Sequence, residues 1–444
     1  MSNVLDLLDQ TTFDVGRATG ANSLMQSVWT YDRPIDTGGL QRFHANLQRG
    51  RLSRCIEKSP LPFGRHRWVG PRRSSDIEVA SARPRDEFAD WLDERANAPL
   101  DCEHGPGWRL AVLPFTDGGT GVSLVVPHCL VDGVGLWQAL ADAAAGRDDP
   151  VRWPAAESRR RWQAVREDIR QCARDIPAVG RAIAAAARLG RRSRKGGGIG
   201  TPLTAKSQIL PPGAEAAIAL PMATVFVDAG EWETCAKSLG GTTNALLVGL
   251  AARLAQRVGR TGADGSVIVM MPVSERTPDD TRANAIGNVG VTVDPAQAAT
   301  DLDDIRTAIK QALIRHREAS EDEYAVNALV PLLPKRILRA AGMANSVAAP
   351  NLVGASNVGT IGAAAGRADG TDADSFSLRI LHTGVTMTML ERFRGVQSFL
   401  SGTSHGKVFV SAVSYRPGRT NSNIVLQQDL STALSDFSLT GTFL

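Results

Sequence analysis

The sequence predicts an α/β protein of two lobes joined by a basic helical linker. Three observations carry that expectation. Short, continuously apolar runs alternate with longer segments of helical period on both sides of residues 156–214. A chain of 444 residues is too long for one simple core and suits two of ordinary size. Between the two, residues 158–195 carry an apolar stripe at steps of three and four on a background crowded with arginine.

The first lobe is assigned to residues 1–155. Within it "DTGGLQRFHANLQRGRLSRCI" (36–56) reads as a helix, and "RHRWVG" (65–70) and "WRLAVLPF" (108–115) as strands. "GVSLVVPHC" (121–129) is apolar without alternation, the pattern of a buried central strand. After Asp132 and Gly133, "VGLWQALADAAAG" starts a helix that Gly146 stops. His128 therefore falls at a strand end facing a turn, where α/β proteins commonly place function.

The linker is assigned to residues 156–214. Its stripe runs through Trp162, Val165, Ile169, Cys172, Ile176, Val179, Ile183 and Ala187. Pro177 is expected to kink the helix or begin a second one, Gly196–Gly198 to end it, and residues 201–213 to be irregular. The second lobe is assigned to residues 215–444. "EWETCAKSLGGTTNALLVGLAARLAQRVGR" holds two helices, the second capped near Thr243 or Asn244. Residues 266–274, 287–294, 350–359 and 406–415 read as strands. Residues 301–318 read as an amphipathic helix with acids first and bases last, as the helix dipole prefers.

Composition narrows the function classes. Hydrophobic residues make up 43% and charged residues 22%, as in soluble globular proteins, and a net charge of +4 gives no argument for nucleic acid. The five cysteines (Cys55, Cys102, Cys129, Cys172, Cys235) never form a CxxC pair. They fit neither a disulfide framework nor a zinc site and suggest a reducing compartment. The first residues show no secretory pattern, and no uncharged apolar run approaches the length of a membrane span. The expectation is a cytoplasmic protein, at most peripheral to a membrane.

The stretch "VVPHCLVDGVGLW" (125–137) is the strongest chemical signal. One of seven histidines meets Asp132 and Gly133 in the pattern H-x-x-x-D-G. At average usage for Asp and this chain's glycine content, chance gives that pattern in roughly one chain in thirty. On these residues alone, a core histidine before a turn and a catalytic base both stand. "GTSHG" (402–406) matches the Gly-x-Ser-x-Gly elbow, but a β-rich run follows it where a helix is required, so it reads as a hairpin turn. Cys129 should face away from His128 on an extended backbone and reads as a packed thiol. His44, His66, His104, His316 and His382 have no metal-ligand spacing and read as surface or satisfied core residues.

The 125–137 stretch resembles the active-site motif of the acyltransferase superfamily with a chloramphenicol-acetyltransferase-like fold. That superfamily includes peptide-synthetase condensation domains, plant acyl-CoA acyltransferases, polyketide-associated acyltransferases and bacterial wax ester synthase/diacylglycerol acyltransferases. The resemblance continues along most of the chain and in the family's order. It takes in "PLDCEHGPGWRLAVLP" (99–114), "TTNALLVGLAARLA", "MPVSERT" (271–277), "IGNVG", "GASNVGTIG" (354–362) and "VSAVSYRPG" (410–418). The wax ester synthase-like and polyketide-associated branches resemble it most. One departure is plain: the family has two consecutive histidines, the second catalytic, and here Pro127 stands in place of the first.

The resemblance implies two lobes with mixed β-sheets and an active-site channel between them. It implies transfer of an acyl group from a coenzyme A or acyl-carrier-protein thioester to a hydroxyl, on a lipid or long-chain alcohol. His128 would be the general base, a role that suits a side chain titrating between pH 5 and 8. Asp132 and Arg276 would form a salt bridge holding the motif loop, and Gly133 would permit a turn or a close approach. Ser356 and Asn357 are candidates for oxyanion or substrate contacts, beside a purely structural role for that pair. Neither metal nor prosthetic group is implied. Two alternatives stand: a carrier-protein-dependent condensation enzyme forming an amide, and a non-catalytic acyl-binding homologue, for which Pro127 is the best argument. The arginine face of the linker has three readings: a solvated helix packed on the lobes by its stripe, a membrane-surface helix, and a phosphate-binding face for coenzyme A or an acyl carrier protein.

Overall fold

The apolar runs of the sequence become the strands of two sheets, and the helices cover what those sheets leave open. The computed structural model describes residues 3–105, 107–147, 152–195, 215–277, 280–325, 328–329, 332–333 and 351–444. A five-stranded sheet is built on β1 (Asn22–Tyr31), β4 (Ile77–Val79), β5 (Arg109–Pro114), β6 (Thr120–Pro127) and β11 (Ser375–Thr383), in the order β11-β1-β6-β5-β4. Its strands are antiparallel except for β4 with β5. All eight residues of β6 are buried, as its continuous apolar run predicts.

A seven-stranded sheet contains β7 (Met222–Asp228), β8 (Val267–Ser274), β9 (Ile286–Val293), β10 (Leu352–Thr360), β12 (Val396–Ser404), β13 (Lys407–Tyr415) and β14 (Thr442–Phe443). Its order is β14-β7-β13-β12-β10-β8-β9, with β10 parallel to both neighbours. One face carries α7 (Thr243–Arg257), α8 (Asp303–Ala325) and α10 (Asn423–Ser435), joined to the sheet in one apolar core. The other face sends Phe226, Val358, Leu400 and Phe409 into the core of the first lobe, beside Trp29, Leu124 and Leu136. The lobes thus share buried apolar surface.

Several expectations are corrected. The helix read over residues 36–56 is α2 (Thr37–Leu47), and Cys55–Glu57 is a strand, β2, paired with β3 (Arg67–Val69). Arg54 explains the change. It is 4% exposed, donates to the carbonyls of Leu130 and Thr281, and stacks 4.3 Å over Trp68, and these long-range partners override local helical pattern. α1 (Leu7–Thr19), capped by Asp6, and β1 occupy a stretch to which the sequence assigned no element. The boundary at residue 215 does not separate the lobes in space, because β11 lies in the first sheet at the edge of β1.

The linker holds one helix, α5 (Arg161–Lys195), with Pro177 inside it. Gly196–Gly198 and residues 201–213 lie outside the described residues, as does the side chain of Ala187. "GTSHG" ends in the turn between β12 and β13, with His405 and Gly406 both at positive φ, the backbone of a two-residue hairpin turn. Among the described residues, no helix is long and apolar enough to cross a membrane.

Candidate active site

β6 ends at Pro127, and the turn that follows is tied down at His128, Leu130 and Asp132. The backbone N–H of His128 donates to the Ser23 carbonyl of β1 at 2.9 Å, and the His128 carbonyl accepts from the Asn284 side-chain amide at 3.0 Å. The Leu130 carbonyl accepts from Arg54 at 2.6 Å, and the Asp132 N–H donates to the Ala283 carbonyl at 2.9 Å. These bonds hold the backbone of the loop, and His128 is half-buried on it.

Asp132 caps the helix that follows, α4 (Gly133–Ala144), by accepting from the Gly135 N–H at 2.6 Å. Its other oxygen accepts from Arg276 at 2.7 Å and from the Ala285 N–H at 2.9 Å. Both side chains of the ion pair are within 4% of full burial. Arg276 also donates to the carbonyls of Asp280, Arg282 and Ala283, so one guanidinium shapes the whole 280–285 segment. With both oxygens engaged, Asp132 orders the turn rather than serving as a base.

Asp9 of α1 completes the clamp from the opposite side. It accepts from the backbone N–H groups of Ala283 and Asn284 at 2.9 and 2.7 Å and from the Asn284 amide at 3.1 Å. Burial pushes its carboxyl up to about 6, against the pull of the nearby Arg54 guanidinium. Asn284, so oriented, is the group that reaches the His128 carbonyl. Gly133 is required by space: a Cβ there would stand 2.6 Å from the Val358 side chain of β10.

Beside the turn lies a cavity of about 990 Å³ between the two sheets. Pro127 and Cys129, the chain neighbours of His128, form part of its wall. Leu24, Leu100, Leu390 and Phe393 make much of it apolar, and Ser23, Gln397 and His382 bring polar groups. Cys129 is buried against Cys102, sulfur to sulfur 3.8 Å, and that contact together with burial pushes its thiol up. Among the described residues no group of three His, Cys, Asp or Glu side chains is arranged to hold a metal ion.

β10 divides the two remaining candidates. Val353 and Ala355 enter the core of the second lobe, while Gly354 lines the cavity and Val358 packs toward the first lobe. Ser356, in register with that second set, shares the face turned toward the His128 loop. Asn357 does not. It lines a separate cavity with Thr243, Ser401 and Thr403, donates to Asn244 at 2.7 Å, and accepts from the Gly359 N–H. The alternation of a strand makes the adjacent pair face opposite ways, so Ser356 and Asn357 do not share one face of β10.

No protein-family model and no curated protein matches the chain. Solved structures do. The first condensation domain of the CDA synthetase superposes with a TM-score of 0.55 at 14% identity, over 100% of this chain and 99% of that one. The wax ester synthase/diacylglycerol acyltransferase from Marinobacter aquaeolei VT8 gives 0.56 at 12% identity, over 98% of each chain. Polyketide synthase associated protein 5 from Mycobacterium tuberculosis gives 0.54 at 11% identity, over 96% of each. The chain has the condensation-domain fold. It is a two-lobed α/β architecture with mixed sheets, shared with these solved structures.

Within the condensation-domain fold this chain places a second histidine by the turn, one that sequence reasoning set aside. His382 of β11 is paired in register with Ser23, the residue whose carbonyl holds the His128 N–H. Its Nδ1 lies 3.1 Å from the Ser23 hydroxyl and its Nε2 3.4 Å from the Ser398 hydroxyl. Burial, and then the charge of neighbouring His128, pull its imidazole down to about 4. Asp9, Arg54 and Asn284 were missed as well. The signal available for Asp9 was an acid on the apolar side of an amphipathic helix, and His382 carried none.

Proposed function

We propose that the protein transfers an acyl group from a thioester of coenzyme A or of an acyl carrier protein to a hydroxyl acceptor, a lipid or long-chain alcohol. The observation that supports this reading best is the clamped turn at the end of β6. It fixes a histidine between Ser23, Asn284 and the capped start of α4, next to a large and mostly apolar cavity. A histidine whose backbone is held next to such a cavity suits a reaction that needs one proton moved and a greasy chain held.

In this mechanism His128 removes the acceptor hydroxyl proton as the oxygen attacks the thioester carbonyl carbon. The tetrahedral intermediate then expels the thiolate, and the imidazolium returns the proton to sulfur. The chain supplies no nucleophile of its own. Ser356 is the side chain we assign to the oxyanion, as it shares the face of β10 that meets the loop. His382 stays neutral at neutral pH, so it sets no second positive charge beside the base.

The test is thiol release from a series of acyl-coenzyme A donors, with and without short- and long-chain alcohols. Wild type should release thiol only when an acceptor is present. Folded His128→Ala should lose that activity by about 10²-fold or more. Equal rates in the two proteins would remove His128 from the chemistry. No release from coenzyme A donors, followed by none from carrier-loaded donors, would overturn the enzymatic reading altogether.

A further inference from the structure

Helix α5 turns its apolar stripe in a direction the sequence does not disclose. Over Arg161–Ala185, the residues it buries are Ala164, Asp168, Ala182 and Ala185. Asp168 is paired with Arg67 at 3.3 Å and Arg159 at 3.0 Å, and Asp175 with Arg65 at 3.4 Å. The helix packs against α8 and is tied to Arg65 and Arg67 of the first lobe by ion pairs, and its largest apolar side chains are left outside. Trp162 is 59% exposed, Ile169 55%, Ile176 67% and Ile183 59%.

Those four residues recur every seven positions. A straight helix drifts only ~20° per seven residues, so they form a single narrow row. At 1.5 Å per residue the row is about 32 Å long. Arg166 and Arg170, both exposed, stand beside it on one side. Proteins rarely leave such a row of large apolar side chains in water without a use for it.

We propose that α5 docks the protein on an anionic membrane surface. Trp162 and the three isoleucines enter the boundary between lipid headgroups and acyl chains, and the flanking arginines contact lipid phosphates. A tryptophan at one end of the row suits that boundary, where amphipathic rings accumulate. The charge disfavours a second copy of this chain as the occupant, since stripe-to-stripe pairing would bring two arginine ridges together.

Co-sedimentation tests the proposal, using vesicles of mixed phosphatidylcholine and phosphatidylglycerol beside vesicles of phosphatidylcholine alone. The full chain should sediment with the mixed vesicles and much less with the neutral ones. Ile169→Gln/Ile176→Gln should lower partition to the mixed vesicles by about tenfold or more. Arg166→Gln/Arg170→Gln should reduce the preference for anionic lipid and leave binding to neutral lipid unchanged. All four positions are exposed, so unchanged circular dichroism and unfolding midpoints certify the variants. Wild-type protein that stays in the supernatant overturns the proposal, as do isoleucine variants that bind like wild type. A self-association seen by sedimentation equilibrium without lipid, and abolished by the isoleucine changes, would assign the row to a second copy instead. None of these outcomes depends on thiol release, so docking and catalysis stand or fall separately.

Discussion

Both oxygens of Asp132 are engaged by N–H groups at 2.6–2.9 Å, one from Arg276 and two from backbone. Asp132→Ala would therefore leave a buried guanidinium without its partner and strip the N-cap of α4. The expected cost is about 3–5 kcal/mol, the range for removing one member of a buried pair. Denaturant unfolding should show it as a lower midpoint with little change in slope. A variant of wild-type stability that lacked turnover would instead place the carboxylate in the chemistry. His382 makes a different prediction. Its pKa falls from 6.5 in the unfolded chain to about 4 in the folded one. The unfolded state thus binds more protons between those values, and the contribution is present above pH 6.5 and lost as pH falls through 4. It amounts to about 3 kcal/mol. Asp9, raised to about 6, acts in the opposite sense over part of the same window, so the comparison must be made against a variant. Relative to His382→Gln, wild type should lose about 3 kcal/mol of stability between neutral pH and pH 4. Parallel pH profiles for the two proteins would remove His382 as the source.

At the start of α4, backbone conformation leaves Gly133 free to be another residue, and space does not. Gly133→Ala would drive a methyl group to 2.6 Å from Val358, at a cost of about 1–3 kcal/mol for overpacking. Val358→Ala should recover part of that loss in the double variant. Additive costs in thermal unfolding would show that the two residues do not meet. The legibility of the elements follows the same contrast between local pattern and distant partner. β6 was readable because burial on both faces makes a run apolar throughout, and α7 was read from its apolar run, although its cap is Thr242 rather than Thr243 or Asn244. β1 was not, since its Gln26 and Ser27 look like surface residues. Gln26 is buried nonetheless, satisfied by Ser123, Arg379 and the Leu92 carbonyl. The end of α2 was misplaced for a like reason: the partners of Arg54 lie 76 and 227 residues away. Pro177 does not divide α5, which runs on as one helix with the proline on its exposed side.

On the scale of the whole molecule, the two-lobed α/β architecture was legible, and its division in space was not. The histidine, the aspartate and the arginine of the candidate site stand in short runs whose order along the chain can be read. Asn284, Asp9 and His382 reach the same turn only through the assembled sheets, and no spacing in the sequence announces them. β11 has the widest consequence. The strand that carries His382 completes the first sheet by lying along β1, yet more than three hundred residues separate them in the chain. On the ribosome, β1 must wait with one edge unpaired until residues 375–383 have emerged. Neither lobe can then be a finished unit of synthesis, and the nascent chain carries an open edge of the kind that invites association with its neighbours.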